Sequence, residues 1–464
     1  WTDNLFLEVF LMGGRLAWTV PLPCEAIVGG AGATAFASGS VQLLNATVTA
    51  MGSISYDDTG GPDNRSRRRA EAQEPVPLLT DDDTAAVVGC KSEADCAYSG
   101  DCVAGACRCD AAWRGANCTE LALLPATTAT AAGLRRAFSS SWGGSVVKEP
   151  GKLGGWAMFF SDFEHNCGLN SWQRNSRIGM ALSSSGSPLG PYAALDQVAL
   201  PAFAHNPTVR GPAADGSYLI YHIGSGEQTS HGPPITNCTN GTTPPEARDA
   251  AEASMPGEGS SSGPQQTITP DILVSKSLRG PFVKLGKGGG CNNPAPILLK
   301  NGTVLLICKV SGKGVGTKPW RQMAVYVAPS YKGPYELKRL TSVYGEDAFA
   351  WYDAKRDAFH MLLHAMHPHK IPTTAWSKDG LEWTPNGFAG PPNPQPRASF
   401  NSTIALAGGG VLQVHRRERH QGIFGTDGQL IGLCNGVTTG EADYSFTACV
   451  PINAEAETSS SLKS

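Results

Sequence analysis

The chain has 464 residues, enough for more than one domain and a sizeable core, and its 37 basic and 40 acidic residues leave a net charge of −3. That balance offers no global attraction to nucleic acid or an anionic membrane, and no apolar run reaches the ~18 residues that suggest a membrane span. Only 17% of residues are charged, while 55 are Gly and 33 are Pro, so many short strands are expected rather than long helices. Thirteen cysteines and seven N-x-S/T glycosylation sites, at Asn45, Asn64, Asn117, Asn237, Asn240, Asn301 and Asn401, point to the secretory pathway and an extracellular or lumenal location. The chain opens at Trp1 rather than Met, as expected of a processed form or a fragment.

Residues 1–89 are left unassigned. Alternating runs such as VQLLNATVTAMGSISY suggest strands. Arg65-Ser66-Arg67-Arg68 resembles a furin-type processing site, with a solvated basic loop as the other reading.

Residues 90–118 read CKSEADCAYSGDCVAGACRCDAAWRGANC. Six cysteines this close together cannot surround a hydrophobic core, so the module must be stapled by disulfides. A zinc site would show paired C-x2-C units with histidines, and the stretch contains no His. Spacing alone leaves the pairing open. The C-x-C-x8-C ending with Trp113 and Gly115 resembles an EGF-like domain. That resemblance implies the pairs Cys90–Cys102, Cys96–Cys107 and Cys109–Cys118, and a module that can engage a protein partner. Asp81-Asp82-Asp83 lies too far upstream to form the calcium-binding signature of the family.

After a linker at 119–139, residues 140–452 repeat weakly. Four segments end alike: SSSGSPLGPY (183–192), SKSLRGPF (275–282), APSYKGPY (328–335) and SKDGLEW (377–383). Each follows an apolar run of strand character, and each unit has its own opening: GGSVVKE at 143–149, HNPTV at 205–209, NNPAPIL at 292–298, EDAFAW at 346–351 and FNSTIAL at 400–406. A period of roughly 45 residues suits four strands per propeller blade. Residues 225–267 read as a loop insertion, and 453–464 as a disordered tail. The expected fold class is all-β: a five-bladed β-propeller preceded by a small disulfide-rich module. Strand-opening N-P or E-D combined with the recurring GPY ending resembles the five-bladed glycoside hydrolase superfamily that includes the arabinanase-like family 43 and invertase-like family 32 enzymes.

That resemblance implies carbohydrate as substrate or partner, no cofactor or metal, and acidic residues from different blades converging on a central funnel. One carboxyl protonates the leaving oxygen and another activates water or attacks. Glu346 is the expected acid, with Asp347 and Asp162 as further catalytic candidates; Glu149 is another source of a base. Glu346-Asp347 also reads as a strand cap, and Asp162 with Glu164 as surface charge. His205, Asn206 and Asn293 stand at blade openings where they can meet a sugar, although Asn206 and Asn293 occupy places where the resembled enzymes carry acids. Asn cannot act as a base, so a non-catalytic carbohydrate-binding or cell-surface recognition protein is the rival reading. In the run Arg416-Arg417-Glu418-Arg419, strand alternation puts Arg416 and Glu418 on one face and Arg417 and Arg419 on the other. Either pair can face the funnel and bind sulfate or uronate, or serve in an inter-blade ion network. His364, His367 and His369 flank Pro368 and read as an exposed loop rather than a metal site. Tryptophans such as Trp142, Trp172 and Trp351 can stack on sugars or pack between blades. Cys434–Cys449 and Cys291–Cys308 are near in sequence, and Cys24 is left as the odd cysteine.

Overall fold

A computed structural model describes residues 5–11, 16–22, 89–149, 155–227, 232–247, 270–312, 320–366, 370–390, 394–440 and 443–454. Asn45, Asn64, Cys24, the basic run at 65–68, His367, His369 and most of the tail lie outside them. The chain divides into two units, 1–73 and 74–464. In the first, Leu5–Leu11 and Leu16–Leu22 form an antiparallel hairpin.

The second unit contains a five-bladed propeller. Blade one is the meander Ser141–Lys148, Trp156–Phe163, Ser176–Ser183 and Tyr192–Leu200. Blades two, three and four repeat it from His205–Arg210, Asn292–Leu298 and Glu346–Asp353, each ordered from inner to outer strand. Inner and second strands are buried on both faces, because every blade packs between two neighbours; this is why their sequences read as apolar runs rather than clean alternation. Outer strands such as Glu336–Tyr344 face water and are mostly polar. The recurring Gly-Pro forms the turn into the outer strand of blades one, two and three, with Gly190, Gly280 and Gly333 at φ of 87°, 79° and 83°, a conformation open to glycine.

Blade five departs from the expectation. Its inner strand is Arg416–Phe424, not the segment 400–406, which contributes only Ile404–Ala405 to a small hairpin with Val411–Leu412. The Gly408-Gly409-Gly410 turn closes that hairpin after two residue pairs, too few to span a blade. Blade five has three strands of its own, ending at Phe446–Pro451. Its outer edge is covered by the segment read as a linker: Leu124 N–H donates to Pro451 O (2.9 Å), and Leu134 and Thr447 exchange both backbone bonds (2.9 and 3.2 Å). The chain then enters blade one, so this pairing closes the ring.

Six disulfides form among the described residues: Cys90–Cys102, Cys96–Cys107, Cys109–Cys118, Cys167–Cys238, Cys291–Cys308 and Cys434–Cys449. Cys167–Cys238 ties residues 232–247, inside the expected insertion, to blade one, where Asn175 also exchanges hydrogen bonds with the backbone of Ile235. Asn117, Asn237, Asn240 and Asn301 are exposed, as glycan attachment requires, and Asn401 is half-buried.

The disulfide module is docked rather than tethered. Trp113 stacks on Trp351 (6.3 Å between ring centroids) and lies 5.4 Å from His360 of blade four. Arg356 donates to both oxygens of Asp110 and to Asp101, each at 2.6 Å.

Candidate active site at the propeller axis

Each inner strand carries the same irregularity. The pairing register shifts between Trp142 and Ser145, His205 and Thr208, Asn292 and Ala295, Glu346 and Phe349, and Glu418 and Gln421. Corresponding bulge positions all have positive φ: Gly143 (74°, followed by Gly144 at 135°), Asn206 (54°), Asn293 (52°), Asp347 (57°) and Arg419 (51°). Gly, Asn and Asp tolerate this left-handed conformation, which accounts for four of the five identities. Arginine gains nothing from it, and its presence points to a task for the side chain. Gly143 makes room for it: a Cβ there would come 2.9 Å from Arg419 Cγ.

The bulges turn four of these side chains toward one another. Asn206 Nδ2 donates to Asn293 Oδ1 (3.0 Å) and Asp347 Oδ1 (3.3 Å), and Asn293 Nδ2 donates to Asp347 Oδ1 (2.8 Å) and Glu346 Oε1 (3.3 Å). Arg419 donates to Asn206 O (2.7 Å) and Thr208 Oγ1 (3.0 Å), with Nη1 3.9 Å from Asp347 Oδ1. Asp347, His364 and Glu418 bring donor atoms within 4.8 Å of one another. Two carboxyl groups from different blades therefore meet at the axis.

Their surroundings drive them apart. Burial pushes the Asp347 carboxyl above its ordinary range, and Glu346 and Glu418 add to this against the pull of His364 and Arg419. Burial acts on Glu418 in the same direction, but Arg416 (2.7 and 3.0 Å) and Lys370 (2.9 Å) outweigh it and hold this carboxylate far below the usual range. Desolvation also works against the charge of half-buried Glu346, yet Lys309 and Arg321, which both contact it, hold it at about 2. The axis thus holds two carboxyls whose surroundings favour ionisation and one, Asp347, whose surroundings disfavour it. Burial also lowers His205, to about 3, with Arg419 adding to the effect, and lowers His364 and His420, leaving neutral imidazoles.

Of the expected residues, Glu346, Asp347, Asn206, Asn293, Arg416 and Glu418 come together here. His205 is one step from the bulge, but it is buried against Trp172 (5.0 Å), with Nδ1 2.7 Å from Ser176 Oγ. Asp162 turns away. The adjacent Ser161 hydroxyl accepts the Asn206 N–H (2.9 Å), so alternation sends Asp162 to the opposite face, where Arg136 and Arg177 (2.7 Å) engage both oxygens. Glu149 pairs with Arg279 (2.8 and 3.1 Å). Arg416 and Glu418 share a face as alternation requires, and Arg417 bonds Asn435 and backbone oxygens on the other. Arg419 escapes the alternation through the bulge.

His364 is not a loop residue. It lies on the second strand of blade four, fully buried opposite Glu346, with neither ring nitrogen hydrogen-bonded and Nδ1 4.0 Å from Asp347 Oδ2. Lys309 occupies the same place on blade three, opposite Asn292. Polar residues interrupting apolar runs, Lys309 in VLLICKV and His360 and His364 in AFHMLLHA, are the sequence signal for both. Arg321 and Lys370 carry no such mark. The Asp347, His364 and Glu418 donor set is of a kind that binds a divalent ion. Lys309, Arg321, Lys370, Arg416 and Arg419 already surround the axial carboxylates, so an ion entering there meets positive charge.

No family model and no curated protein matches this sequence. Among solved structures, Zg3597, a family 117 glycoside hydrolase from the marine bacterium Zobellia galactanivorans, is 12% identical over 72% of this chain and 88% of its own, with a TM-score of 0.41. A xylan β-1,4-xylosidase from Bacillus halodurans C-125 is 10% identical over 69% and 54%, with a TM-score of 0.42. CoXyl43, a family 43 β-xylosidase/α-arabinofuranosidase from a compost microbial metagenome, is 9% identical over 69% and 96%, with a TM-score of 0.39. At these scores the likeness assigns no role to any residue, and the reading of the site rests on its own geometry.

Proposed function

We propose that the protein is an extracellular glycosidase acting on a poly- or oligosaccharide, with Asp347 as the proton donor and Glu418 as the ionised carboxylate. The observation that carries this is the carboxyl pair itself: oxygens within 4.8 Å, one group pushed up and the other held down. Groups whose environments separate them in this way take the roles of acid and base. Glu346, the acid expected from sequence, is held ionised and serves better as a fixed charge that keeps the proton on Asp347. The close spacing suits direct attack by Glu418 on the anomeric carbon, for which carboxyl groups stand ~5–5.5 Å apart, and therefore net retention of configuration. Asp347 would then deprotonate the water that releases the sugar.

The rival, a sugar-binding protein without hydrolysis, is favoured by one feature. Asn206 and Asn293 satisfy Asp347 with hydrogen bonds at two blades where an acid would add a second base. The deciding experiment incubates the protein and its Asp347→Asn and Glu418→Gln variants with neutral and acidic plant and algal polysaccharides. Released reducing ends and the anomeric configuration of the first product, read by proton NMR, are the observables. The expected result is release by the parent with retention and loss in both variants. Binding without release by the parent across the whole panel would move the conclusion to the rival.

A further inference from the structure

The axis carries more positive than negative charge. Lys309 and Arg321 contact Glu346, Lys370 and Arg416 contact Glu418, and Arg419 lies beside Asp347. Five cationic side chains face three carboxyl groups, leaving two positive charges uncompensated even with Asp347 ionised, in a chain whose net charge is −3. The neutral histidines do not change this balance. Like charges gathered in a partly desolvated funnel repel, and an anion bound there relieves the repulsion.

Two observations show that the surplus is built in. Arg419 is fully buried in a backbone conformation that disfavours arginine, and neither its Nε nor its Nη1 has a hydrogen-bond partner. The remaining cations are graded by depth. The Lys309 side chain is 11% exposed, whereas Arg321, Lys370 and Arg416 are 29%, 41% and 31% exposed. Those three reach solvent while contacting Glu346 and Glu418. Both arginines keep further N–H donors beyond the ones spent on Glu346 and Glu418. The Arg416 guanidinium also rests over the Trp142 ring, 5.3 Å from its centroid, which fixes its plane.

We propose that the sugar bound at the axis carries an oxyanion, a sulfate ester or a uronic carboxylate, held by Arg321, Lys370 and Arg416. Planar forks with a nearby ammonium recognise either group. The inference rests on the carbohydrate reading of the site, and it does not require cleavage.

The test is affinity electrophoresis of the full chain in polygalacturonate, in a sulfated galactan and in the same galactan desulfated, at low and high salt. One anionic glycan should retard the protein at least about tenfold more strongly than the desulfated galactan, with a preference that shrinks as salt rises. Which of the two anionic glycans retards it identifies the group. Lys370→Gln removes a half-exposed cation without touching a buried one, and should weaken anionic binding by about tenfold while sparing the neutral galactan. Equal retardation by the neutral galactan, no retardation by any glycan, or an unchanged Lys370→Gln variant overturns the proposal. Anionic binding that needs Lys370 upholds it even where no reducing ends appear, and then only the glycosidase reading fails. Hydrolysis confined to neutral glycans and dependent on Asp347 has the opposite meaning.

Discussion

Two of the places where arginine meets carboxylate, the seam and the axis, are built to different ends. At the seam between the disulfide module and blade four, Arg356 spends every nitrogen on Asp101 and Asp110, and Trp113 of the module stacks on Trp351 of the blade. Burial works against the charge on Asp110, but Arg356 and Lys355 prevail and lower it, while Arg356 and Arg108 hold Asp101 at about 2. At the axis, Asp347 is raised, His364 has no hydrogen-bond partner, and Arg419 keeps two unbonded nitrogens. A matched cluster holds parts together, whereas an unmatched gathering of cations and carboxyls from several blades marks a place where something binds.

The largest effect that separates the two is on turnover. Replacing Glu418 by Gln removes the ionised member of the carboxyl pair and should lower kcat/KM by about 10³-fold or more, in the range of lost acid–base or nucleophilic groups. Asp101→Asn at the seam should leave kcat/KM unchanged. Comparable losses in both variants would show that the axial cluster acts only through folding.

Stability should respond in the opposite order. Arg356→Ala strips a side chain that is 8% exposed and leaves Asp110 without its main partner. The expected loss is about 2–4 kcal/mol, measured by denaturant unfolding, toward the lower end because the seam opens partly to water. The sign with pH also differs between the sites. Asp110 is lowered, so its contribution is present above about 3.9, the ordinary Asp value, and fades as pH falls through its folded-state value. Asp347 is raised, so its contribution is complete below about 3.9 and is lost as pH rises through its folded-state value.

Much of the fold was legible, because its signals are local. Six cysteines in a short stretch announce a stapled module, and apolar runs separated by Gly-Pro turns announce blades. Glu346, Asp347, Asn206 and Asn293 are legible as axis candidates because they open repeated blade units, and the first residues of a blade's inner strand point toward the funnel. The fifth blade was misplaced at 400–406 because its opening resembles the others in composition, and only pairing length distinguishes a hairpin from a blade. Lys309, Arg321 and Lys370 were missed since their roles depend on cross-strand neighbours far away in sequence. Alternation groups Arg419 with Arg417 because it assumes an unbroken strand, whereas the bulge that falls on Arg419 brings it beside Asp347.

A smaller prediction probes the room made for Arg419. Gly143→Ala places a Cβ at positive φ and 2.9 Å from Arg419 Cγ. It should cost about 1–2 kcal/mol in unfolding free energy and should disturb activity through Arg419, whereas a Cβ at the neighbouring Gly144 would first meet Thr447 and Met158.

The finest prediction concerns the proton on Asp347. Glu418 is held so low that it stays ionised across the working range, so kcat/KM should show a single limb, falling as pH rises and Asp347 loses its proton. The groups facing Asp347 are Glu346 on its own strand, His364 on the next strand, Glu418 and Arg419 of blade five, and the amides of Asn206 and Asn293. Asn293→Asp would exchange an amide that donates to Asp347 for a carboxyl at the same 2.8 Å contact. A like charge there disfavours ionisation, and the two carboxyls would titrate as a pair sharing one proton. The alkaline limb should therefore move upward by about one pH unit. A limb that stays in place would mean that Asp347 is not the titrating acid. If the limb vanished instead in a Glu346→Gln variant, the proton would belong to Glu346, whereas a limb that only moves downward there fits Asp347 losing the like charge that holds its proton.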